Sequence, residues 1–274
     1  MQIYFVNGSF VHKSLANISV EDRGFNFSDG VYEVISFSKK TLLNLDRHFF
    51  RLKRSLRELK IDNPYKNFKS LELIIKRLLN VNNLFNGFIY LQITRGTSER
   101  NHQFPQKVNP NIVIFAFPQK KIDKILKGVG IGTSKDIRWK RCDIKSISLL
   151  PNLLEKQKAV EKGFFEIWQY NDKFITEGST SNAFIIKNMS IVTHPKNQEI
   201  LGGVTRDCVI DVAKKNNIEV LEVPFSIKEL KSCSEAFLSS TTVGIIPVIS
   251  VDKSKIGNGN VGPITKKLMD YMMN

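Results

Sequence analysis

Apolar and polar side chains alternate from Val31 to Phe37, the period expected of a strand with one buried face. Upstream, Ile3-Tyr4-Phe5-Val6 and Ser9-Phe10-Val11 flank Asn7-Gly8, a pair suited to a type I′ turn, so a hairpin is predicted. Between them and the first long strand lies a run of turn formers, Glu21 to Gly30. The period then lengthens. Over 46–60, Leu45, Phe49, Leu52, Leu56 and Leu59 fall on one stripe with Arg47, Arg54 and Glu58 opposite, which predicts an amphipathic helix. Arg51 sits at the flank of that stripe and can run along a surface. A second helix is predicted from about Phe68 to Leu79, then strands at 88–94 and 111–117, the latter apolar on both faces and therefore central. The polar, lysine-rich stretch Pro118 to Gly128 reads as a boundary between domains 1–119 and 120–274. Beyond it strands dominate, at 129–133, 164–170, 173–176, 182–187, 190–193, 218–223, 235–240 and 244–249, with helices at about 152–162, 205–215 and 263–273. Ser226 and Glu229 fit a capping box for one short further turn. This irregular order predicts an α+β chain rather than a regular βαβ wind.

Composition narrows the class without naming a function. A chain of 274 residues, 42% hydrophobic and 24% charged, buries a sizeable core in one large or two smaller domains and is neither disordered nor fibrous. No apolar run approaches the roughly 20 residues of a bilayer span, and no basic-then-apolar leader opens the chain. Cys142, Cys208 and Cys233 lack CxxC spacing and suit a reduced, cytoplasmic protein. The net charge of +15 raises nucleic acid as a partner. The basic residues are spread in pairs such as Lys39–Lys40 and Lys214–Lys215, with no RNP, KH or zinc-finger signature, so a solvated surface is expected instead. Such a charge also favours small anionic ligands.

Several segments carry possible chemistry, each with a plainer alternative. Lys145 lies in the partly apolar run Arg141 to Ile147; it is either a solvated lysine or, kept among apolar neighbours, a nucleophile or Schiff-base former. Leu201-Gly202-Gly203-Val204-Thr205-Arg206 opens a helix and is either a glycine turn or a phosphate cradle; it is no P-loop, since no Gly-Lys-Ser/Thr follows. The hydroxyls Ser239 to Thr242 close a strand, as a loop or an anion site. Glu177 lies between two short strands. Thr94 to His102 forms a basic loop after a strand, where function concentrates. Four histidines without ligand spacing argue against a metal, and no hydrolase motif appears.

In this order, the stretches EDRGFNFSDGVYEV, YLQITRGTSERNHQFP, DIRWKRCDIKSISLL, TEGSTSNAF, LGGVTRD and SSTT resemble the fold type IV pyridoxal-phosphate enzymes over nearly the whole chain. That family includes branched-chain aminotransferases and aminodeoxychorismate lyases, but the sequence is most similar to its D-amino-acid-specific aminotransferases. The resemblance implies a small N-terminal α/β domain and a larger, strand-rich C-terminal domain that binds pyridoxal 5'-phosphate. It implies that Lys145 forms a Schiff base with the cofactor and that Glu177 binds the pyridine nitrogen. Arg51, Val204, Thr205 and Thr241 would hold the phosphate, and Leu201 would lie on the ring face. Ser179, Thr180, Ser181 and Ser240 would line the cofactor's hydrogen-bond network. Tyr32, Arg100 and His102 resemble a trap for the substrate carboxylate, the last two supplied by the partner in a homodimer. The implied reaction converts D-alanine and 2-oxoglutarate to pyruvate and D-glutamate. Phe25 stands where tyrosine is common, Thr180 interrupts a serine run, and the loop around Arg100 differs slightly in length.

Overall fold

The structure is a computed structural model that describes residues 2–65, 67–119 and 123–273. Of the lysine-rich stretch 118–128, residues 120–122 lie outside the described ones. The chain forms two compact units, one of residues 1–120 with 144–148, the other of residues 121–143 and 149–274.

In the first unit, β1 (Ile3–Val6) and β2 (Ser9–His12) form the expected hairpin, with Asn7 and Gly8 both at positive φ, as a type I′ turn demands. The turn-rich segment contains a short helix that its composition does not suggest, α1 (Arg23–Phe27). Asp22 creates it by accepting hydrogen bonds from the free N–H groups of Gly24 and Phe25. Next come β3 (Gly30–Ser38), β4 (Thr41–Leu42), α2 (Leu45–Glu58), α3 (Phe68–Val81), β5 (Gly87–Thr94) and β6 (Asn111–Pro118). The strands make an antiparallel sheet in the order β2-β1-β6-β5-β3-β4, with β6 interior. Val31, Ile35, Phe37, Leu91, Ile93 and Ile114 join Phe49, Leu52, Leu56 and Leu71 of the two helices in one core. The opposite face carries a ladder of rings: Tyr4 on Phe115 at 5.0 Å, Phe115 on Tyr90 at 4.9 Å and Tyr90 on Tyr32 at 5.8 Å.

The second unit contains β7 (Val129–Lys135), α4 (Leu150–Glu161), β8 (Glu166–Asn171), β9 (Phe174–Gly178), β10 (Asn182–Lys187), β11 (Ser190–Thr193), α5 (Val204–Lys215), β12 (Val220–Glu222), α6 (Ile227–Ser232), β13 (Glu235–Ser240), β14 (Gly244–Val251), β15 (Ser254–Lys255) and α7 (Pro263–Met273). Its sheet runs β12-β11-β10-β13-β14-β7-β8-β9, with β15 on β14. Pairing is mixed: β11/β12, β14/β7 and β7/β8 are parallel and the rest antiparallel, which is the α+β class expected. Trp168, Ile185, Leu238 and Ile246 form a core on one side; Phe184, Phe237 and Ile245 form another with Val209 of α5 and Leu268 of α7. The capping box at α6 is present in both directions.

Candidate active site

Lys145 is placed by the first unit. Ile144 enters the core, Ser146 bridges Val31, the Tyr32 N–H donates to the Lys145 carbonyl, and the Lys145 N–H donates to Ser55 Oγ of α2. The short strand thus made along β3 sets Lys145 Nζ 4.1 Å from the centre of the Tyr32 ring. The amine has no hydrogen-bond acceptor among the described residues. A cationic or neutral amine over an aromatic face is held without being consumed, because the ring takes no proton from it.

Beneath it, on the helix-covered face of β3, lies a buried set of charges. Glu33 accepts from Arg51 Nε at 2.8 Å and Nη2 at 2.7 Å and contacts His48 Nδ1 at 2.8 Å. Arg51 therefore does not run along the surface as the helix stripe suggests; it turns inward and forks onto a carboxylate. Burial pushes the Glu33 carboxyl up, but the Arg51 charge and the Arg51 and His48 hydrogen bonds outweigh it and bring it down to about 2. Burial lowers His48 from its usual value despite Glu33, with Arg51 and Lys145 adding to the effect.

In the second unit Glu177 is buried at the end of β9. It accepts from Arg138 Nη1, from the Leu201 N–H at 3.0 Å and from Asn182 Nδ2 at 2.9 Å. Asn182 also donates to the Leu201 carbonyl at 2.9 Å, so the 201 turn is tied to the carboxylate twice. Arg138 is shared with Asp136, Thr176 Oγ1 and the Glu199 carbonyl. Burial opposes the Arg138 charge, but Glu177 and Asp136 overcome it and hold the guanidinium above its ordinary value. Burial raises the Glu177 carboxyl, with Arg138 and the Leu201 N–H pulling the other way. A carboxylate made more basic in this way is a good partner for a proton-bearing ring nitrogen.

Ser179 Oγ, Thr180 Oγ1 and N, and Ser181 Oγ all donate to Glu166, which is buried in β8. Gly178 is needed there, because a Cβ would stand 2.3 Å from Ser181 Oγ. The hydroxyl run is thus turned onto a carboxylate, leaving its oxygens only as acceptors. Val204 and Thr205 open α5, whose N-cap, Gly203, supplies no side-chain cap. Gly203 has no room for one, since a Cβ would lie 2.0 Å from Asn182 Oδ1. The first-turn N–H groups are therefore available to an anion. Asn182 is paired across the sheet with Ser239, whose buried hydroxyl has no partner among the described residues. Ser240 and Thr241 follow, with Ser240 Oγ 3.3 Å from Thr242 Oγ1.

Arg100 and His102 are exposed on the loop between β5 and β6. Both lie against Phe27, at 5.0 and 5.5 Å. Among the described residues, neither makes a hydrogen bond or ring contact with Tyr32, so the structure brings Arg100 and His102 together but does not join them to the third expected member.

Sequence reading missed Arg138, Glu33, His48, Glu166 and Asn182. Glu33 and Glu166 could have been found: each is a carboxylate amid apolar strand residues, where burial demands donors. Arg138 carries only a weak signal, an Asp-x-Arg spacing after β7.

The second unit thus offers a buried carboxylate and a helix start open to anions, and the first a lysine amine with no hydrogen-bond acceptor among the described residues. Residues 30–251 match the amino-transferase class IV family model, and the chain belongs to that family. It is 40% identical over 268 residues to the D-alanine aminotransferase of Staphylococcus haemolyticus, covering 97% of this chain and 95% of that one. With the D-alanine aminotransferase of Bacillus licheniformis it shares 39% over 275 residues, covering 100% and 96%. The branched-chain amino acid aminotransferase from Escherichia coli has the same fold, with a TM-score of 0.91 at 26% identity over 99% of this chain and 93% of that one.

Proposed function

We propose that this chain transaminates D-amino acids with pyridoxal 5'-phosphate as cofactor, taking D-alanine and 2-oxoglutarate to pyruvate and D-glutamate. The observation that carries this reading is the match to D-alanine aminotransferases, which spans the whole chain in the Bacillus licheniformis case and so includes the Arg100–His102 loop. The residues present suit the cofactor. Among the described residues the Lys145 amine has no competing acceptor, the start of α5 has no side-chain cap and the buried Ser239 hydroxyl has no partner, while Glu177 is a desolvated carboxylate.

Bound there, pyridoxal 5'-phosphate supplies an electron sink that acidifies the substrate Cα–H. Lys145 Nζ would take the cofactor's aldehyde carbon, and Glu177 the ring nitrogen. Arg51, the Val204 and Thr205 segment, and Thr241 would hold the phosphate. Leu201 would lie on the ring, with Ser179, Thr180, Ser181 and Ser240 in the surrounding hydrogen bonds. Lys145 Nζ would also move the proton at the substrate Cα, as base and then as acid. Tyr32, with Arg100 and His102 of the partner subunit, would hold the carboxylate on one side, so that only the D-enantiomer aims its α-hydrogen at Lys145. Residues 1–119 form the small domain in this reading and 120–274 the cofactor-binding one. Exposure of Leu150, Leu153 and Leu154 along α4 supports a homodimer. Cys142, Cys208 and Cys233 are in no disulfide among the described residues, which suits the cytoplasm.

The test is a panel of D- and L-amino acids with 2-oxoglutarate, scored for oxo-acid release. D-alanine should lead. Preference for L-leucine or L-valine would make the enzyme a branched-chain aminotransferase, and pyruvate release from aminodeoxychorismate would make it a lyase.

A further inference from the structure

The segment Glu21 to Gly30 has no part in the reaction as assigned, yet it holds one of the most buried charged groups of the first unit, Arg23, which is 3% exposed. We propose that Arg23, braced by Asp29, is the positioning residue that fixes the loop bearing Arg100 and His102. The proposal rests on the reading of that loop as the binder of the substrate carboxylate.

The loop spans residues 95–110 without a strand or helix of its own. Excursions of that length are uncommon in compact units unless they serve a function, and they do not hold a shape unaided. Its base is stitched to α1. The Arg23 N–H donates to the Gly96 carbonyl at 2.9 Å, the Arg95 N–H to the Asp29 carbonyl at 3.0 Å, and Asp22 bridges Thr97. Gly24 lets α1 come this close: a Cβ would stand 2.3 Å from Thr94 Cγ2. The Arg23 side chain reaches the backbone of the tip. Arg23 Nη1 donates to the Asn101 carbonyl at 2.6 Å and the Gln103 carbonyl at 3.4 Å, the carbonyls of the two residues on either side of His102.

The guanidinium itself is aimed by charge. Arg23 Nε donates to Asp29 Oδ2 at 2.9 Å, and the same carboxylate takes Arg95 Nε at 2.7 Å and Nη2 at 3.0 Å. Arg95 is fixed in turn by the carbonyls of Leu59 and Lys60. Phe104 closes the loop by laying its ring 3.6 Å from the Arg95 guanidinium, and Phe27 stands between Arg23 at 4.7 Å and Arg100 at 5.0 Å. Because the loop is held by its carbonyls, the Arg100 and His102 side chains remain exposed for a ligand. Only arginine can grip Asp29 with Nε while reaching two carbonyls with Nη1; a lysine has one nitrogen for both tasks.

Arg23→Lys keeps the charge and removes the fork. Three quantities are measured on the holoenzyme: amide hydrogen exchange of residues 99–104, cofactor affinity, and kinetics with D-alanine beside benzylamine, which has no carboxylate. Exchange should accelerate in 99–104, and the KM for D-alanine should rise roughly tenfold, because a loop no longer fixed at its tip presents Arg100 and His102 out of position. Cofactor affinity and the benzylamine reaction should be unchanged. Unchanged exchange overturns the proposal, as does faster exchange with an unaltered KM, or a KM rise matched by cofactor loss. Arg100→Ala separates the two layers. If it raises the D-alanine KM while Arg23→Lys does not, the anchor alone is wrong. If Arg100→Ala leaves that KM unaltered, the carboxylate reading fails and takes the proposal with it. Phe104→Ala removes an exposed ring with little risk to folding, and should move exchange and KM in the same direction by less; no movement in either counts against the anchor.

Discussion

The roles proposed for Lys145 and Glu177 depend on what surrounds them. Among the described residues the Lys145 amine has no hydrogen-bond acceptor and lies over the Tyr32 ring, which leaves it available for the covalent capture proposed. In Lys145→Ala, borohydride reduction should therefore leave no cofactor mass on the protein, and turnover should fall by about 10³-fold or more. A retained adduct by mass spectrometry would assign the attachment to another lysine. Glu177→Gln keeps the shape of the side chain but turns one of its two acceptor oxygens into a donor, so the Leu201 and Asn182 bonds are not both kept, and it replaces a charge-assisted bond to the ring nitrogen by a neutral one. Cofactor should still bind, while proton removal slows by roughly tenfold, the equivalent of about 1.4 kcal/mol; an unchanged single-turnover rate would remove Glu177 from the chemistry. At this scale the sequence is informative where a residue's neighbours in the chain set its surroundings: the partly apolar run around Lys145 is anchored by Ile144 in the core. Glu177, expected as a turn residue between two short strands, lies instead within β9. Arg138 was not legible, because its partners Glu177, Thr176 and Glu199 are distant in the chain and only the sheet brings them within reach.

Elements add a dependence on pH that no single residue shows. Between β3 and α2, Glu33 is held down to about 2 and His48 is held below its usual value. Both groups bind fewer protons when folded than when unfolded, so their contribution to stability is full at neutral pH and is lost on acidification. His48 contributes to the loss as pH drops below about 6.5, and Glu33 as it drops from about 4.5 toward 2. The Glu33 part is on the order of 3 kcal/mol. Thermal melts across this range should show the two losses, and His48→Gln should flatten the upper one; an unaltered profile would mean that His48 titrates alike in both states. The Arg100 loop is the second case. Removing the guanidinium in Arg100→Ala should lower kcat/KM for D-alanine by roughly 10- to 200-fold, a charge-assisted contact being worth about 1.5–3 kcal/mol. Benzylamine should be spared, and equal loss on both substrates would point to a folding defect instead. Strand and helix positions followed hydrophobic period closely, from the β1–β2 hairpin to the capping box at α6. Exceptions are α1, where Asp22 caps a turn too short to have a period, and the two-residue strands β4 and β15.

For the whole molecule, the reading predicts that two chains complete each site. Homodimers of Lys145→Ala and of Arg100→Ala should each be impaired on D-alanine. Mixed and allowed to exchange, they should regain activity, because one site of each hybrid then has its own Lys145 and an intact Arg100 of the partner subunit. No recovery in a mixture shown by mass to contain hybrids would place both groups in one chain. Charging the exposed stripe of α4, as in Leu153→Lys, should shift sedimentation toward monomer.

The strip Ile144–Ser148, laid along β3 beside residues 30–32, also constrains how the protein can be made. Its partners are synthesised more than a hundred residues earlier, so during translation the N-terminal sheet leaves the ribosome with that edge bare. Exposed strand edges are templates for aggregation, and this one is covered only when residue 148 has emerged. A gene fragment ending near residue 119 would encode an intact sheet with a permanently open edge. The second half of the gene alone would carry Lys145 without Tyr32 and Ser55, the residues that hold its backbone in place. Lineages that shuffle domains should therefore inherit this pair as a single unit of exchange.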